Sequence, residues 1–417
     1  MKTKLSLAVA SALLAAASSA NAGIMIPAGD WTLDIGGVVN AYYTHTNASG
    51  DQVGLGGATE RANGDSVNNI TTGLLPNYLS VSGKTRQNDL DVGFTISINP
   101  GASTKNSGIQ TEPNNQENRQ AFLTFGDKSW GSIKLGKDLG IYASDAILND
   151  MTLLGVGSGA GLLAGNTTTL GRIGTGFMYA DWKSQVAYSS PNWNGFSFTA
   201  GVTQAWNVQG DGVDSAFSTE RGGSSPAFEG KASYEWAGDF GGKVWVSGIS
   251  QKVEGLQNTA GLKGANTVTD DSDRANAWDI GATVNVAGFG LTGYYGQGDG
   301  LGTTVQFAGG YDVNGKSRDS DDWYVQGTYT LPGVGTKLGL SYGESTLDGN
   351  SVDSFSELSN EMWTIGAYHP ITKHLNLVAE YSNVKSESKN RITALNPTGA
   401  DDDGKSKTIS LGAILFF

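Results

Sequence analysis

Strict alternation of apolar and polar side chains constrains the fold of this chain more than any other feature of its sequence. Residues 88–101 read NDLDVGFTISINPG, in which five apolar residues alternate with five polar or small ones. A side-chain period of two predicts a strand with one apolar and one polar face. The pattern recurs along the chain, and no segment after residue 22 has the roughly 20 apolar residues of a spanning helix. The sequence therefore predicts an all-β protein.

The first 22 residues are predicted to be a secretory signal peptide. Lys2 and Lys4 precede a short apolar run, and a stretch of small residues ends at Ala22. This three-part plan predicts cleavage before Gly23. A spanning helix is the alternative, but the apolar run is shorter than the roughly 20 residues that a helix needs. Loss of the two lysines changes the formal net charge from −13 to −15.

Sixteen strands are predicted, and their connections alternate in length. Seven short turns separate the strands on one side, and eight long polar segments connect them on the other. Short turns at one rim and long loops at the other are typical of the up-and-down antiparallel β-barrels of the bacterial outer membrane. Closure leaves no unpaired strand edge in hydrocarbon, so residues 23–417 are predicted to form a transmembrane barrel with outward apolar faces. The predicted strands lie at 31–46, 77–86, 89–99, 118–126, 130–136, 183–190, 195–206, 227–237, 242–252, 276–286, 289–297, 322–331, 335–344, 361–369, 373–385 and 406–417.

Soluble all-β folds are the main alternative to a membrane barrel. A propeller or solenoid would show a sequence repeat of about 50 residues or fewer, and no such repeat is present. A sandwich of this length would need several domains with linkers, which the sequence does not show. Aromatic residues favour the barrel because they lie at or near predicted strand ends, where membrane girdles occur. These residues are Trp182, Tyr188, Trp193, Phe196 and Trp206.

The excess negative charge is concentrated on the rim with the long loops. These eight segments carry −14 of the −15 charges of the mature chain, and Asp401–Asp403 is the densest run. A solvated acidic surface explains this pattern. Two functional interpretations remain open, namely divalent cations that bridge carboxylates to lipopolysaccharide phosphates and enrichment of cations at a pore mouth. Nucleic acid is excluded as a partner because phosphate binding requires clustered lysine and arginine.

The sequence gives no support for catalysis. It contains three histidines, of which His369 and His374 flank a turn on one rim and His45 lies near the other. Histidines on opposite sides of a bilayer cannot share a general-base site. There is no cysteine, and no nucleophile or phosphate-binding motif is present. We therefore predict that the protein is not an enzyme and requires no cofactor or metal.

One segment carries a specific family resemblance. NRQAFLTFGDKSWGSIKLGKDLGIYASDAILNDM begins at Asn118, and it is followed by LGRIGTGF and YSSPNWNGFSFTAGV. With the opening WTLDIGGVVNAYY and the terminal Phe417, this segment resembles the general trimeric porins of Gram-negative bacteria. The resemblance implies a sixteen-stranded trimeric barrel whose third loop, predicted at residues 137–175, folds inward and narrows the pore. Opposed acidic and basic residues at this constriction would then select solutes.

The resemblance assigns constriction roles to particular residues. Arg119 and Arg172 match two members of the basic ladder, and Asp150 in the NDM sequence matches an acidic residue of the loop. Asp145, five residues earlier, is a further acidic candidate. Each arginine has an alternative role as an ordinary lumen group. Asp150 has an alternative or additional role as a helix cap.

Four positions depart from the family pattern, among them Gly37 in place of a lysine and Leu154 in place of the loop's second acid. Tyr78 stands where relatives have an arginine in the second strand, which predicts a weaker basic ladder. Lys137 replaces an arginine that in relatives can meet an acidic residue of a neighbouring subunit. Glu112 or Glu117 would supply that acid here. Lys137 is thus predicted either in the pore constriction or at a subunit contact.

The predicted function is a water-filled outer-membrane channel for passive diffusion of ions and small hydrophilic solutes. The predicted partners are two further copies of the chain in a homotrimer, membrane lipid and lipopolysaccharide. The acidic rim and the reduced basic ladder predict a mild preference for cations. Two alternatives remain: a channel specific for a sugar or an organic acid, and a structural or adhesive barrel with a plugged lumen.

Overall fold

A computed structural model describes residues 23–51, 66–104, 116–158, 167–210, 215–220, 222–223, 225–258, 272–392 and 398–417. The predicted signal peptide and Glu112 lie outside these residues. Sixteen antiparallel strands form a closed barrel, as the alternation predicts. They are β2 (Trp31–Gly50), β4 (Tyr78–Gln87), β5 (Leu90–Pro100), β7 (Ala121–Asp127), β8 (Gly131–Leu139), β9 (Trp182–Ser189), β10 (Phe196–Thr203), β12 (Ala227–Trp236), β13 (Phe240–Asn258), β14 (Ser272–Val286), β15 (Phe289–Asp299), β16 (Asp319–Thr330), β17 (Lys337–Asp348), β18 (Glu357–Pro370), β19 (Leu375–Arg391) and β20 (Ala400–Phe416).

The barrel closes between its first and last spanning strands. In this pairing of β2 with β20, Val38 lies opposite Phe416 and Gly50 lies opposite Gly404. On its other edge β2 pairs with β4. Each remaining spanning strand pairs with its predecessor and its successor in the ring. Every backbone edge of the spanning wall is therefore paired, as a membrane interior requires.

Four short strands were not predicted. They are β1 (Ile24–Ala28), β3 (Ser66–Thr71), β6 (Gln116–Glu117) and β11 (Ala216–Glu220). Several spanning strands also extend further into the long-loop rim than predicted, and β13 ends at Asn258 rather than near residue 252. These extensions are mostly polar, so period-two hydrophobicity does not reveal them.

The apolar stripe of each strand faces outward. In β5, Ile96 and Ile98 are 55% and 43% exposed, whereas the inward-facing Asn99 is 3% exposed. This orientation agrees with the prediction from the sequence. Within the described residues, no helix is both long enough and apolar enough to cross a membrane.

Aromatic side chains form outward-facing ring pairs on the barrel wall. Neighbouring strands contribute ring pairs such as Trp323 with Tyr342 and Trp363 with Tyr381, with centroids 5.4 and 5.2 Å apart. Tyr188, Trp193 and Phe196 belong to a similar group at the short-turn rim. The other two predicted girdle residues pack on cations instead, because Trp182 contacts Arg119 and Trp206 contacts Lys183.

Candidate functional site: loop 3 inside the barrel

Residues 140–181, which we call loop 3, connect β8 to β9, and their described parts, 140–158 and 167–181, lie inside the barrel. They include a short helix, α1 (Ser144–Asn149), and a 3-10 helix, Met151–Leu154. The hydroxyl of Tyr324 on β16 donates to the carbonyl of Ala146 at 3.0 Å. The backbone N–H of Met151 donates to Gln326 Oε1 at 2.6 Å. Because Tyr324 and Gln326 face inward, these bonds place the loop in the lumen.

Two wall carboxylates hold the backbone of loop 3. Glu229 Oε2 accepts the N–H groups of Ile141 and Tyr142 at 2.8 and 2.9 Å. Glu380 Oε2 accepts the N–H groups of Val156 and Gly157 at 2.7 and 3.0 Å. A carboxylate that accepts two backbone donors makes strong, charge-assisted bonds. Loop 3 is thus fixed at its start and near its middle.

Asp145 of loop 3 forms a charge cluster with two wall lysines. Its oxygens lie 3.1 Å from Lys231 Nζ and 2.5 Å from Lys243 Nζ. Burial disfavours the ionised form, but the two ammonium groups outweigh burial and hold the pKa of Asp145 below its ordinary value. The carboxylate is 4% exposed, whereas the two lysines are 24% and 21% exposed. Lys243 also lies 3.2 Å from an exposed carboxylate oxygen of Glu235. Lys231 therefore presents the positive charge of this cluster to the lumen.

Asp150 and Arg172 form a second cluster within the loop. Asp150 caps the 3-10 helix, because its carboxylate accepts from the backbone N–H and the hydroxyl of Thr152. Arg172 donates to the carbonyl of Met362 at 3.0 Å and to the hydroxyl of Ser341. Burial raises the pKa of Asp150 above its ordinary value, although Arg172 acts in the opposite direction. Both side chains are buried, so this cluster ties loop 3 to β17 and β18.

A cavity of about 90 Å³ lies between loop 3 and the arc of wall from β4 to β12. It is lined by wall residues, by Leu75 and Pro76 before β4, and by Gly140, Ile141, Ser144 and Leu148 of loop 3. Lys134 on β8 faces this cavity and pairs with Asp138, with exposed fractions of 18% and 8%. The wall residues at the cavity include Tyr78, Ser80, Thr95, Gln120, Lys134, Gln185, Thr199 and Lys231.

Two apolar clusters join loop 3 to the other side of the barrel, where a polar cavity of about 560 Å³ also lies between the 3-10 helix and the short-turn ends of β14–β17. One cluster joins the loop to β16, β18, β19 and β20, and a second joins it to β13, β14 and residues 301–311. Buried side chains in van der Waals contact exclude water. The two clusters include Ile147, Met151, Phe177, Tyr324, Tyr368 and Val378, and Tyr142, Met178, Ile249, Leu301, Phe307 and Tyr311.

Comparison with known proteins decides the family. The family model described as Gram-negative porin matches residues 8–389. The chain belongs to the Gram-negative porin family. A comparison with curated proteins finds no match.

Solved structures with the same fold are distant in sequence. The channel DcaP of Acinetobacter baumannii is 15% identical with a TM-score of 0.60, and the match covers 94% of this porin and 99% of DcaP. The anion-selective porin of Comamonas acidovorans is 16% identical with a TM-score of 0.59, with coverages of 93% and 100%. OmpT of Vibrio cholerae is 14% identical with a TM-score of 0.59, with coverages of 94% and 99%.

This porin is therefore an outer-membrane channel of a Gram-negative bacterium. It supports passive diffusion of solutes through a closed barrel of sixteen strands. Its family consists typically of channels rather than enzymes.

The porin places the predicted constriction residues in different environments. Tyr78 lines the cavity, and Asp145 lies beside it under two lysines. Asp150 and Arg172 are buried between loop 3 and the wall. Arg119 donates to Glu117 Oε2 at 2.7 Å and to the hydroxyl of Thr167 in loop 3 at 3.1 Å.

Lys137 does not face the lumen. On β8, Lys134 and Asp138 point inward, so the odd-numbered residues between them point outward. Its ammonium group donates to the carbonyl of Asn118 at 2.9 Å. This placement fits the subunit-contact alternative rather than the pore. Glu117, proposed as a partner for Lys137, pairs with Arg119 of its own chain instead.

The sequence prediction missed the wall residues that bind loop 3. Glu229 and Lys231 stand two residues apart in the polar phase of FEGKASYE, which places both on the inner face of β12. Glu380 and Lys243 likewise occupy inward positions of their strands. Charged residues in the polar phase were thus a usable signal. Their partners in loop 3 were not, because loop geometry is needed to pair them.

Proposed function

We propose that loop 3 forms the constriction of the channel, and that solutes pass between it and the arc of wall from β4 to β12. The observation that carries this proposal is the asymmetry of the lumen. The β4–β12 arc is lined by hydroxyl, amide and ammonium groups around a cavity. The opposite arc packs on loop 3 through two apolar clusters, and its polar cavity lies at the short-turn rim. Hydrated solutes require the polar side.

Positive charge dominates the accessible side chains of this passage. Lys134 and Lys231 line the cavity, and each is more exposed than the acid that pairs with it, Asp138 or Asp145. We infer a weak preference for anions at the constriction, opposite in sign to the expectation from the sequence. Acidic groups at the rim act over distance and are screened beyond about 8 Å at physiological salt. A permeating ion meets the lysines at contact distance, where screening is weak.

The channel is proposed to be a homotrimer. The general porins that the sequence resembles are trimeric, and an OmpT structure from Vibrio cholerae is described as a trimer form. We expect the outward apolar stripes to contact lipid and the acidic rim to meet lipopolysaccharide through divalent cations.

We propose no catalytic role. Two of the three histidines make polar contacts far apart, since His45 Nδ1 lies 2.8 Å from Asn68 Oδ1 and His369 Nδ1 lies 2.8 Å from Thr336 Oγ1. His45 lies in the part of β2 toward the long-loop rim, whereas His369 lies at the end of β18 toward the short-turn rim. Neither contact contains an activated nucleophile.

Single-channel recording of refolded protein in planar bilayers tests the proposed function. We expect ohmic conductance that appears in groups of three equal steps, one for each subunit. We also expect block after a bulky thiosulfonate modifies Lys231→Cys. Lys137→Cys is the matched control because that position faces outward, and its modification should leave conductance unchanged. Saturable block by one solute would instead indicate a substrate-specific channel. Absence of conductance in folded protein would indicate a plugged barrel.

A further inference from the structure

Residues 300–318, which we call loop 6, connect β15 to β16 and fold into the barrel. Their inward packing is extensive, because most of their large side chains are buried. Leu301, Gln306 and Phe307 have no exposed surface. A loop that only covered the rim would leave such side chains in water. Loop 6 therefore packs against other parts of the lumen.

Loop 6 binds the limb of loop 3 that returns to the wall. The N–H of Tyr179 donates to the carbonyl of Thr304 at 3.0 Å. The side-chain amide of Gln306 donates to the carbonyls of Tyr179 and Ala180 at 3.0 and 3.3 Å. These residues lie directly before β9, so the contact fixes the end of loop 3.

A buried ion pair extends this contact to the start of loop 3. Lys183 Nζ donates to Gln306 Oε1 and to Glu229 Oε1, both at 2.6 Å. Neither side chain of the Lys183–Glu229 pair is exposed. Glu229 also accepts the N–H groups of Ile141 and Tyr142. One continuous network thus joins loop 6 to both ends of loop 3.

The other end of loop 6 is anchored to residues 349–356, which we call loop 7. The guanidinium of Arg318 donates to both oxygens of Asp353 at 2.9 and 2.6 Å, and neither side chain is exposed. Asn350 Nδ2 donates to Asp312 Oδ2 at 3.1 Å. Two-point arginine–carboxylate pairs fix orientation as well as distance. Loop 6 is thereby held independently of loop 3.

We propose that loop 6 is a positioning element of the constriction, and that it fixes loop 3 through the hydrogen bonds of Gln306. The inference rests on the proposed function, in which loop 3 narrows the channel. Apart from loop 6, loop 3 is held by wall contacts and by residues 73–75, whose backbone bonds to Leu153, Gly155 and Thr169. Gln306 adds bonds to the end of loop 3 and, through Lys183 and Glu229, to its start. The consequence is a constriction that stays open under an applied voltage.

Replacement of Gln306 by alanine tests the proposal. The variant loses the bonds to Lys183, Tyr179 and Ala180 but keeps the Lys183–Glu229 pair. We expect a rise of at least about fivefold in the frequency of voltage-induced closures, because the net loss of even one of these three hydrogen bonds produces a change of that size. Lys316→Ala is the matched control, since that side chain lies in the same loop and is exposed. Its closure frequency should equal that of the wild type.

Hydrogen exchange provides a local readout. In Gln306→Ala the amides of Tyr179 and Ile141 should exchange faster, whereas those of Val156 and Gly157, which Glu380 binds, should not change. Equal closure frequencies in the two variants, or uniform acceleration of exchange, would overturn the proposal. If Gln306→Ala does not fold, Gln306→Asn keeps the amide but shortens it, and it should raise closures in the same direction.

A separate measurement distinguishes failure of the underlying function. If Lys231→Cys is blocked by the thiosulfonate but Gln306→Ala closes no more often than wild type, loop 3 forms the constriction and loop 6 does not position it. If modification of Lys231→Cys leaves conductance unchanged, the proposed constriction itself is wrong.

Discussion

Glu229 and Glu380 bind loop 3 in the same way from nearly opposite sides of the lumen. Each uses Oε2 to accept two consecutive backbone N–H groups of the loop. They differ in what holds the other oxygen. Glu229 Oε1 pairs with Lys183, whereas Glu380 Oε1 accepts the hydroxyl of Tyr368 at 2.6 Å. Similar geometry therefore has different electrostatic consequences.

Glu229→Gln should destabilise the barrel more than Glu380→Gln. In Glu229→Gln the ammonium of Lys183 remains buried without its counter-ion, which costs about 3–5 kcal/mol. In Glu380→Gln charge-assisted hydrogen bonds are lost, which costs about 1.5–3 kcal/mol. Urea unfolding of the detergent-folded protein measures both changes in the free energy of unfolding. Glu361→Gln, on the outward surface of β18, serves as the control, and equal losses at Glu229 and Glu380 would contradict the assignment.

Neutralising the lumen lysines should shift ion selectivity toward cations. Lys134→Gln and Lys231→Gln each remove a positive charge that lines the cavity. Reversal potentials under a salt gradient should move in the cation direction, and more so in the double variant. Lys137→Gln makes the same chemical change on the outward face of β8 and should leave the reversal potential unchanged. A shift in Lys137→Gln as large as that in Lys231→Gln would place Lys137 in the pore after all.

Acid sensitivity of loop 3 should depend on the lysines that contact Asp145. Because the folded-state pKa of Asp145 is lowered, its ionisation stabilises the fold above the unfolded pKa of about 3.9. This contribution is lost only as the pH falls through the lower folded pKa. In a Lys231→Gln and Lys243→Gln double variant, burial alone would remain and would raise the pKa.

Conductance recorded from pH 7 to pH 4 measures this effect. We expect the double variant to show a change within that range that the wild type does not show. Addition of Asp145→Asn should abolish the new pH dependence. Persistence of the dependence in the triple variant would assign it to another group.

The wall was predictable from the sequence because one face of each strand contacts lipid and the other faces the polar lumen. The alternation in residues 88–101 sets the outward side of β5, and the alternation of turn lengths sets the order of the strands. The arrangement of side chains in the lumen was less predictable from the sequence. Asp145 was identified, but its partners Lys231 and Lys243 lie about a hundred residues away and belong to a surface whose shape depends on loop 3. Arg172 was assigned to the pore by resemblance, yet local packing against Ser341 and Met362 buries it.

The orientation of the wall can be tested with adjacent residues of β9. Val186 faces outward and is exposed, whereas Gln185 faces the cavity. Arginine on the lipid face of a barrel costs about 2–4 kcal/mol at the bilayer midplane and less near the interfaces. Val186→Arg should therefore reduce the folded yield in lipid vesicles, while Gln185→Arg should fold and alter conductance instead. An arginine that stays in water pays no desolvation cost. A comparable loss of yield in both variants would therefore show that Gln185 does not face the water-filled side of β9.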